Sequence, residues 1–216
     1  NLDLDETIDF LNNIITKANE TKCEVTSAGF SASRGESIIL NSNGVSIADK
    51  STGFGAGLSV NIEEKGNVAT AYDSVSSRFY DLDGDKLAKD VCKLAMESVD
   101  TKPVETNDYD VVLDYAATGL LSTFLAAFNG ENVQRRRSIL HDKMNSEIVS
   151  PNLSITNDAT LEKGMYSAKC DGEGTVSKKT NLVENGVLKS FMYDIYTANK
   201  ENTTSTGNGY RNSYLS

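Results

Sequence analysis

Tryptophan is absent from this chain of 216 residues, proline occurs only as Pro103 and Pro151, and histidine only as His141. A catalytic zinc centre needs three protein ligands and an open position, so with one imidazole it would have to be built from carboxylates. No GxSxG elbow is present to expose a nucleophilic serine. The cysteines Cys23, Cys92 and Cys170 lie far apart with no CxxC pair, which excludes a zinc knuckle. Reduced thiols of a cytosolic protein are their expected state. No run of roughly 18 apolar residues occurs, so no membrane-spanning helix is expected. The first residues lack the basic and apolar stretches of a signal peptide. The chain does not open with Met and stops at Ser216, so both ends are expected to be cut from a longer protein. Positive charge is also scarce: 21 basic residues against 31 acidic ones give a net charge of −10. Such a field repels a phosphate backbone and makes nucleic acid a poor partner. The densest basic run, Arg135-Arg136-Arg137, and the weaker Lys178-Lys179 read as solvated loops or ion-pair sites.

What is present is globular, with 38% hydrophobic residues and 16 glycines. Ile8, Leu11, Ile15 and Ala18 recur at helical spacing and predict a helix over 5–19. From Lys22 to about Asp81 the period falls to two. Asn41-Ser42-Asn43-Gly44 is a hairpin signal, and 63–67 is a second. Gly53, Gly55 and Gly57 fall on alternate residues and suggest a close approach or a bulge rather than a phosphate loop. A second helix is predicted from Asp83-Gly84-Asp85 to about Val99, burying Leu87, Val91, Leu94 and Ala95, with Cys92 in the core. Asp110–Asp114 reads as a short buried strand. Ala117, Leu120, Leu121, Phe124, Leu125 and Phe128 then predict a central, deeply packed helix ended by Gly130. Strands are expected near 153–156 and 175–183, the latter turning through Glu184-Asn185-Gly186 into 187–191. A last helix is expected over 194–200, with a loop after it. Strands follow strands and helices stand in separate blocks, which argues for an α+β, antiparallel sheet-rich fold with segregated helices.

Few groups offer chemistry. Ser138, His141 and Asp142 are neighbours in sequence, but such proximity does not make a triad. Asp81-Leu82-Asp83-Gly84-Asp85 imitates a calcium loop but lacks its distal Glu, so helix capping explains it better. Asp171-Gly172-Glu173-Gly174 pairs two acids beside two glycines and reads first as a tight turn.

A set of short stretches runs in order along nearly the whole chain. It comprises Asn41-Ser42-Asn43-Gly44 with Ser51-Thr52, Ser77-Arg78 with Asp81-Leu82-Asp83, and Gly130-Glu131-Asn132 with Arg137-Ser138-Ile139-Leu140. It continues with Asp171-Gly172-Glu173-Gly174, Val183-Glu184-Asn185-Gly186-Val187-Leu188, Tyr196-Thr197-Ala198, and Ser205-Thr206-Gly207-Asn208 with Arg211. Together they resemble the TldD/PmbA family, and within it the PmbA (TldE) branch, once labelled modulators of DNA gyrase. The resemblance implies a PmbA/TldD-like fold in two parts. Residues 1–105, a helix, a β-meander and a helix, would end the family's N-terminal part. Residues 106–216 would open its C-terminal β-rich domain around the central apolar helix.

The TldD branch is similar to a zinc protease, with HExxxH on the equivalent helix. Two such histidines can face one metal while the Glu serves as base. Laid on this chain, the motif falls on Ser122–Ala127, with Ser122 and Ala127 at the histidine positions and Thr123 at the glutamate. The resemblance therefore implies a metal-free subunit of a TldD/TldE-type zinc metallopeptidase. No cofactor belongs to this chain, zinc sits in a TldD-like partner, and the assembly is a homo- or hetero-oligomer. Its substrate is unfolded peptide and its place the cytoplasm, away from any membrane. Arg137, Asp171, Glu173, Thr206, Asn208 and Arg211 are the candidate binding or interface residues. Two alternatives stay open. One is a gyrase modulator or other protein-binding regulator without proteolysis, motivated by the old label and Arg135–Arg137. The other is an independent hydrolase using His141 with Asp171 and Glu173.

Overall fold

The computed structural model describes residues 3–207, and Asn208 and Arg211 lie outside them. The chain forms two compact units. One takes the residues up to Gly35 together with Ser51–Asp108, the other Glu36–Lys50 and the residues from Tyr109 onward.

The first unit packs two helices on an antiparallel meander. Helix α1, Leu4–Asn19, begins at Asp3, whose side chain accepts from the Asp5 amide, and carries Asp5 and Glu6 in its first turn. Acids there complement the positive end of the helix dipole. Its buried row is Ile14 and Ala18 with Phe10 beside them, while Ile8, expected in that row, is exposed. The reason is the partner. Helix α2, Gly84–Glu97, starts against that row, and a Cβ on Gly84 would stand 2.8 Å from Ile14 Cγ1 and 3.1 Å from the Phe10 ring. Only glycine allows this approach, so it fixes which face of α1 turns inward.

Strands β1 (Glu24–Leu40), β2 (Ser46–Glu64) and β3 (Asn67–Ser77) pair in the order β1-β2-β3. The β2–β3 register runs from Phe54 opposite Ser77 to Glu64 opposite Asn67. Lys65 and Gly66, at φ 53° and 80°, close that hairpin, and both predicted turns are present. Along β2, Ala56, Leu58, Val60 and Ile62 are buried toward the helices. The alternate residues Gly55, Gly57 and Ser59 line an open depression on the sheet with Tyr72. A Cβ on Gly57 would lie 3.2 Å from the Tyr72 hydroxyl, the close approach that the alternating glycines suggested. Helix α2 closes the core with Leu87, Ala88, Val91, Cys92 and Ala95; Leu94, predicted among them, is exposed. The acids of 81–85 act separately. Asp81 accepts from Ser77 Oγ at 2.6 Å, Asp83 caps α2 through the Lys86 amide at 2.8 Å, and Asp85 accepts from Asn13 at 2.8 Å. The capping reading holds for Asp83.

In the second unit three expectations fail. Residues 110–114 form no strand, and Val111 and Val112 are exposed. Their backbone finds no strand to pair with among the described residues, so β-branched side chains alone do not make one. Tyr115–Phe128 is a 3-10 helix rather than a deeply packed α-helix. Leu125 and Phe128 are buried, three residues apart as the 3-10 period requires, while Leu120, Leu121 and Phe124 are exposed. Only its last turn reaches the core of Phe128, Leu140, Leu182, Val183, Leu188 and Phe191. Gly130 does not end this helix but begins α3, Gly130–Gln134, behind the cap Asn129. It is glycine because a Cβ there would stand 2.5 Å from the Tyr193 ring. Strands β4 (Ile155–Asp158), β5 (Lys179–Glu184) and β6 (Val187–Leu188) form an antiparallel sheet in that order, followed by α4 (Ile195–Lys200). Asn185 and Gly186, at φ 48° and 83°, make the predicted β5–β6 turn. The fold is α+β with antiparallel sheets, as the sequence implied. Among the described residues no helix is long and apolar enough to cross a membrane.

Candidate functional site

In the second unit a group of polar side-chain contacts surrounds the turn Asp171–Thr175 and the start of α4. Asp171 is fully buried, and its Oδ1 accepts from the amides of Glu173 at 3.0 Å and Thr175 at 2.9 Å. Its backbone closes the same turn: the Asp171 amide donates to Thr175 O, and the Gly174 amide to Asp171 O. Gly174 has φ +84°, and a Cβ there would meet Val45 Cγ1 at 2.5 Å. The tip of the β1–β2 hairpin thus sits on this turn. Lys169 fastens it, its amide donating to Asp49 Oδ2 at 3.0 Å and its Nζ to Ala48 O at 2.8 Å.

Glu173 leaves the turn toward α4. Its Oε2 accepts from the Ile195 amide at 2.8 Å, in the first turn of that helix. Asp194 caps α4 with a reciprocal box: its Oδ1 accepts from the Thr197 amide at 2.7 Å, and the Asp194 amide donates to Thr197 Oγ1 at 3.1 Å. Residue 193, just before, is held by the last described loop. The Tyr193 amide donates to Thr206 Oγ1 at 2.8 Å, and Ser205 Oγ donates to Tyr193 O at 3.0 Å. Burial, with the Glu201 carboxylate as a smaller cause, pushes the Tyr193 phenol above its ordinary pKa. Gln134 of α3 donates to Thr197 O at 2.7 Å, with its own Oε1 buried and unbonded.

Asp171, Glu173 and Thr206 therefore belong to one network around residues 193–197. Arg137 does not join it; its side chain is exposed and its amide donates to Asn132 O at 2.8 Å. Asn208 and Arg211 fall outside the described residues. Sequence reading missed Lys169, Gln134, Tyr193 and Asp194 as members. Only Asp194 carried a signal, an N-cap acid with Thr197 three residues on.

The other candidates are engaged locally. Ser138 Oγ donates to Ala127 O at 2.6 Å and accepts from the Leu140 amide at 3.0 Å, while His141 Nε2 lies 3.0 Å from Asp142 Oδ2. The serine proton is thus directed at a carbonyl rather than at the imidazole, and no triad forms. Arg135 of the basic run pairs with Glu131 at 2.8 Å. In the 3-10 helix Ser122 Oγ donates to Gly119 O at 2.5 Å and Thr123 Oγ1 to Leu120 O at 2.7 Å, and the Ala127 side chain is a methyl group. A zinc ion takes thiolate, imidazole or carboxylate, and these three positions supply none of them. The residues here do not fit that metal.

Comparison with known proteins places this geometry. Residues 106–216 match the profile of the PmbA/TldA metallopeptidase C-terminal domain, and residues 1–99 that of the central domain. An uncharacterised Methanocaldococcus jannaschii protein is 40% identical over 97% of this chain and 51% of its own length. A Buchnera aphidicola metalloprotease PmbA homolog is 31% identical over 62% of this chain and 31% of its own. In fold, the chain is similar to a Thermotoga maritima protein described as a candidate modulator of a DNA gyrase, with TM-score 0.89 and 24% identity, covering 98% of this chain and 50% of that one. It is also similar to TldE from Thermococcus kodakarensis, with TM-score 0.81 and 24% identity, covering 97% of this chain and 49% of that one. The chain spans about half the length of the M. jannaschii relative. Matched by the central-domain profile on one side and the C-terminal-domain profile on the other, it belongs to the PmbA/TldD metallopeptidase family.

Proposed function

We propose that this chain serves as a metal-free, PmbA/TldE-like subunit of a TldD/TldE-type zinc peptidase that degrades unfolded peptides in the cytoplasm. The observation that carries the reading is at Ser122, Thr123 and Ala127. Where the hydrolytic branch is expected to bear HExxxH, this chain has two hydroxyls bonded to backbone carbonyls and a methyl group. Neither hydroxyl can act as a carboxylate base. Catalysis would then fall to a TldD-like partner that brings its own zinc. The network of Asp171, Glu173, Thr206 and α4 has a supporting part, holding the second sheet and the hairpin tip as a wall for the shared chamber.

The test is metal analysis and peptide cleavage by the full-length protein, alone and with a TldD-like chain. Alone it should hold no stoichiometric zinc and cut nothing, and the pair should cut. Zinc and cleavage in the lone protein would overturn the reading. A regulator that binds a topoisomerase without proteolysis is the second reading, favoured by the description of the T. maritima fold neighbour. Capture of a topoisomerase and no TldD-like chain from cell extract would favour it over the first.

A further inference from the structure

Cys23 and Cys92 stand 69 positions apart in sequence and meet in the core of the first unit. Cys23 closes the turn between α1 and β1, and Cys92 lies within α2. The Cys23 Sγ is 4.0 Å from the Cys92 carbonyl oxygen, and the Cys92 Sγ is 3.8 Å from the Ala18 carbonyl oxygen. The two thiols are also within hydrogen-bonding reach of each other. Each sulfur turns about a single χ1 bond, so modest rotations bring the pair toward the roughly 2 Å of a covalent S–S bond.

Both thiols are guarded while the unit is closed. Cys23 is 3% exposed and Cys92 0%. Burial holds Cys92 protonated at neutral pH, and a buried, protonated thiol is inert. The guard is local, however. Lys22, next to Cys23, has φ 64°, a left-handed conformation that strains a residue with a Cβ. Glu20 and Lys22 are exposed. A strained, exposed turn opens at lower free energy than the helix and strand it joins. Such opening frees Cys23 first, because Cys92 stays within α2.

We propose that Cys23 and Cys92 are a redox-sensitive pair, which a small-molecule disulfide converts to a reversible internal cross-link between the start of β1 and α2. The exchange has two steps. Cys23 loses its proton to solvent and attacks one sulfur of the small disulfide. That S–S bond breaks, and the leaving thiolate departs with the electron pair and takes up a proton. Cys92, deprotonated in turn, attacks the Cys23 sulfur and expels the second small thiolate, which is protonated likewise. Two protein thiols are oxidised, and one small disulfide is reduced to two thiols. The cross-link closes a long loop and restricts the unfolded chain, so the oxidised unit resists unfolding. The proposal is independent of the peptidase reading, since it needs neither zinc nor a partner chain.

The test incubates the folded full-length protein with oxidised glutathione, blocks remaining thiols and maps the peptides by mass spectrometry. A linked peptide containing Cys23 and Cys92 should appear, lighter by two hydrogens than the reduced pair. Dithiothreitol should reverse it. Cys170, in the second unit, should stay reduced as the internal control. Oxidation should raise the apparent Tm by roughly 5 °C, a shift that Cys23→Ala should abolish. Cys92→Ala should stop at glutathione held on Cys23, whereas Cys23→Ala should leave Cys92 unmodified. The linked peptide and the Tm of the wild type decide the matter even if a variant fails to fold. Absence of the Cys23–Cys92 link in the folded protein, its formation only in urea, stable glutathione on wild-type Cys23, or a link that leaves Tm unchanged would each overturn the proposal.

Discussion

Two helices of this chain have the same length and opposite fates. Helix α2 and the 3-10 helix Tyr115–Phe128 each have 14 residues. The second is the more apolar and contains no charged residue. Yet α2 is the regular, buried one. Its Leu87, Ala88, Val91, Cys92 and Ala95 recur at α spacing on one face, with Lys86, Lys89, Asp90 and Lys93 on the others and Asp83 capping the start. Tyr115–Phe128 has no polar face to tell the core side from the solvent side, and among its described residues only Leu125 and Phe128 are buried. Contrast between faces, rather than apolar content, decides which helix is specified and where it packs.

The largest test of that contrast is one truncation in each helix. Leu87 is 5% exposed, so Leu87→Ala should lose about 2–4 kcal/mol in urea unfolding. Leu121 is 49% exposed, so Leu121→Ala should change stability by about 0.5 kcal/mol or less. Equal losses would break the comparison, because they would mean that Leu121 is covered in solution.

A second test titrates the α2 core. Cys92 is fully buried, and burial is the main cause that pushes its thiol from 9.0 to about 11; the neighbouring Cys23 thiol pushes the same way, against a bond to Thr21. The folded state therefore holds this proton more tightly than the unfolded chain does. Its stabilisation is complete below pH 9 and lost as pH rises toward 11, a fall of up to about 2–3 kcal/mol. Urea midpoints from pH 8 to pH 11 should fall more steeply for wild type than for Cys92→Val. Identical slopes would show that the thiol is not shielded by the packing of α2.

Much of the first unit could be read from the chain because its signals are local. A Lys-Gly turn, period-two strands and an N-cap acid each act within a few residues. What escaped was relational. The sequence stripe of α1 gave the helix but put Ile8 inside, because the inward face is chosen by the missing Cβ of Gly84, some 70 residues away. In the second unit Gly130 looked like a helix stop, yet its role is contact with Tyr193. The site was legible in the same uneven way. Asp171 and Glu173 stood out as acids beside glycines, and their turn was foreseen. That Glu173 reaches the first turn of α4, and that Lys169 holds the hairpin tip, depends on contacts between distant segments that no window of sequence contains.

The smallest test concerns where helix specification begins. Asp83 satisfies the Lys86 amide at 2.8 Å and sets negative charge at the positive end of the dipole. Asp83→Ala leaves that amide to water and should cost about 1 kcal/mol, whereas Asp83→Asn should cost less because the amide oxygen still caps. The loss should be local in hydrogen exchange. Protection should fall at Asp85 and Lys86 and persist at Val91 and Cys92, whose side chains are buried and whose amides open only with the whole unit. If protection falls evenly along α2 instead, the cap and the stripe act as one cooperative element. Lack of a buried stripe would then be enough to explain why the equally long apolar helix fails to become α-helical.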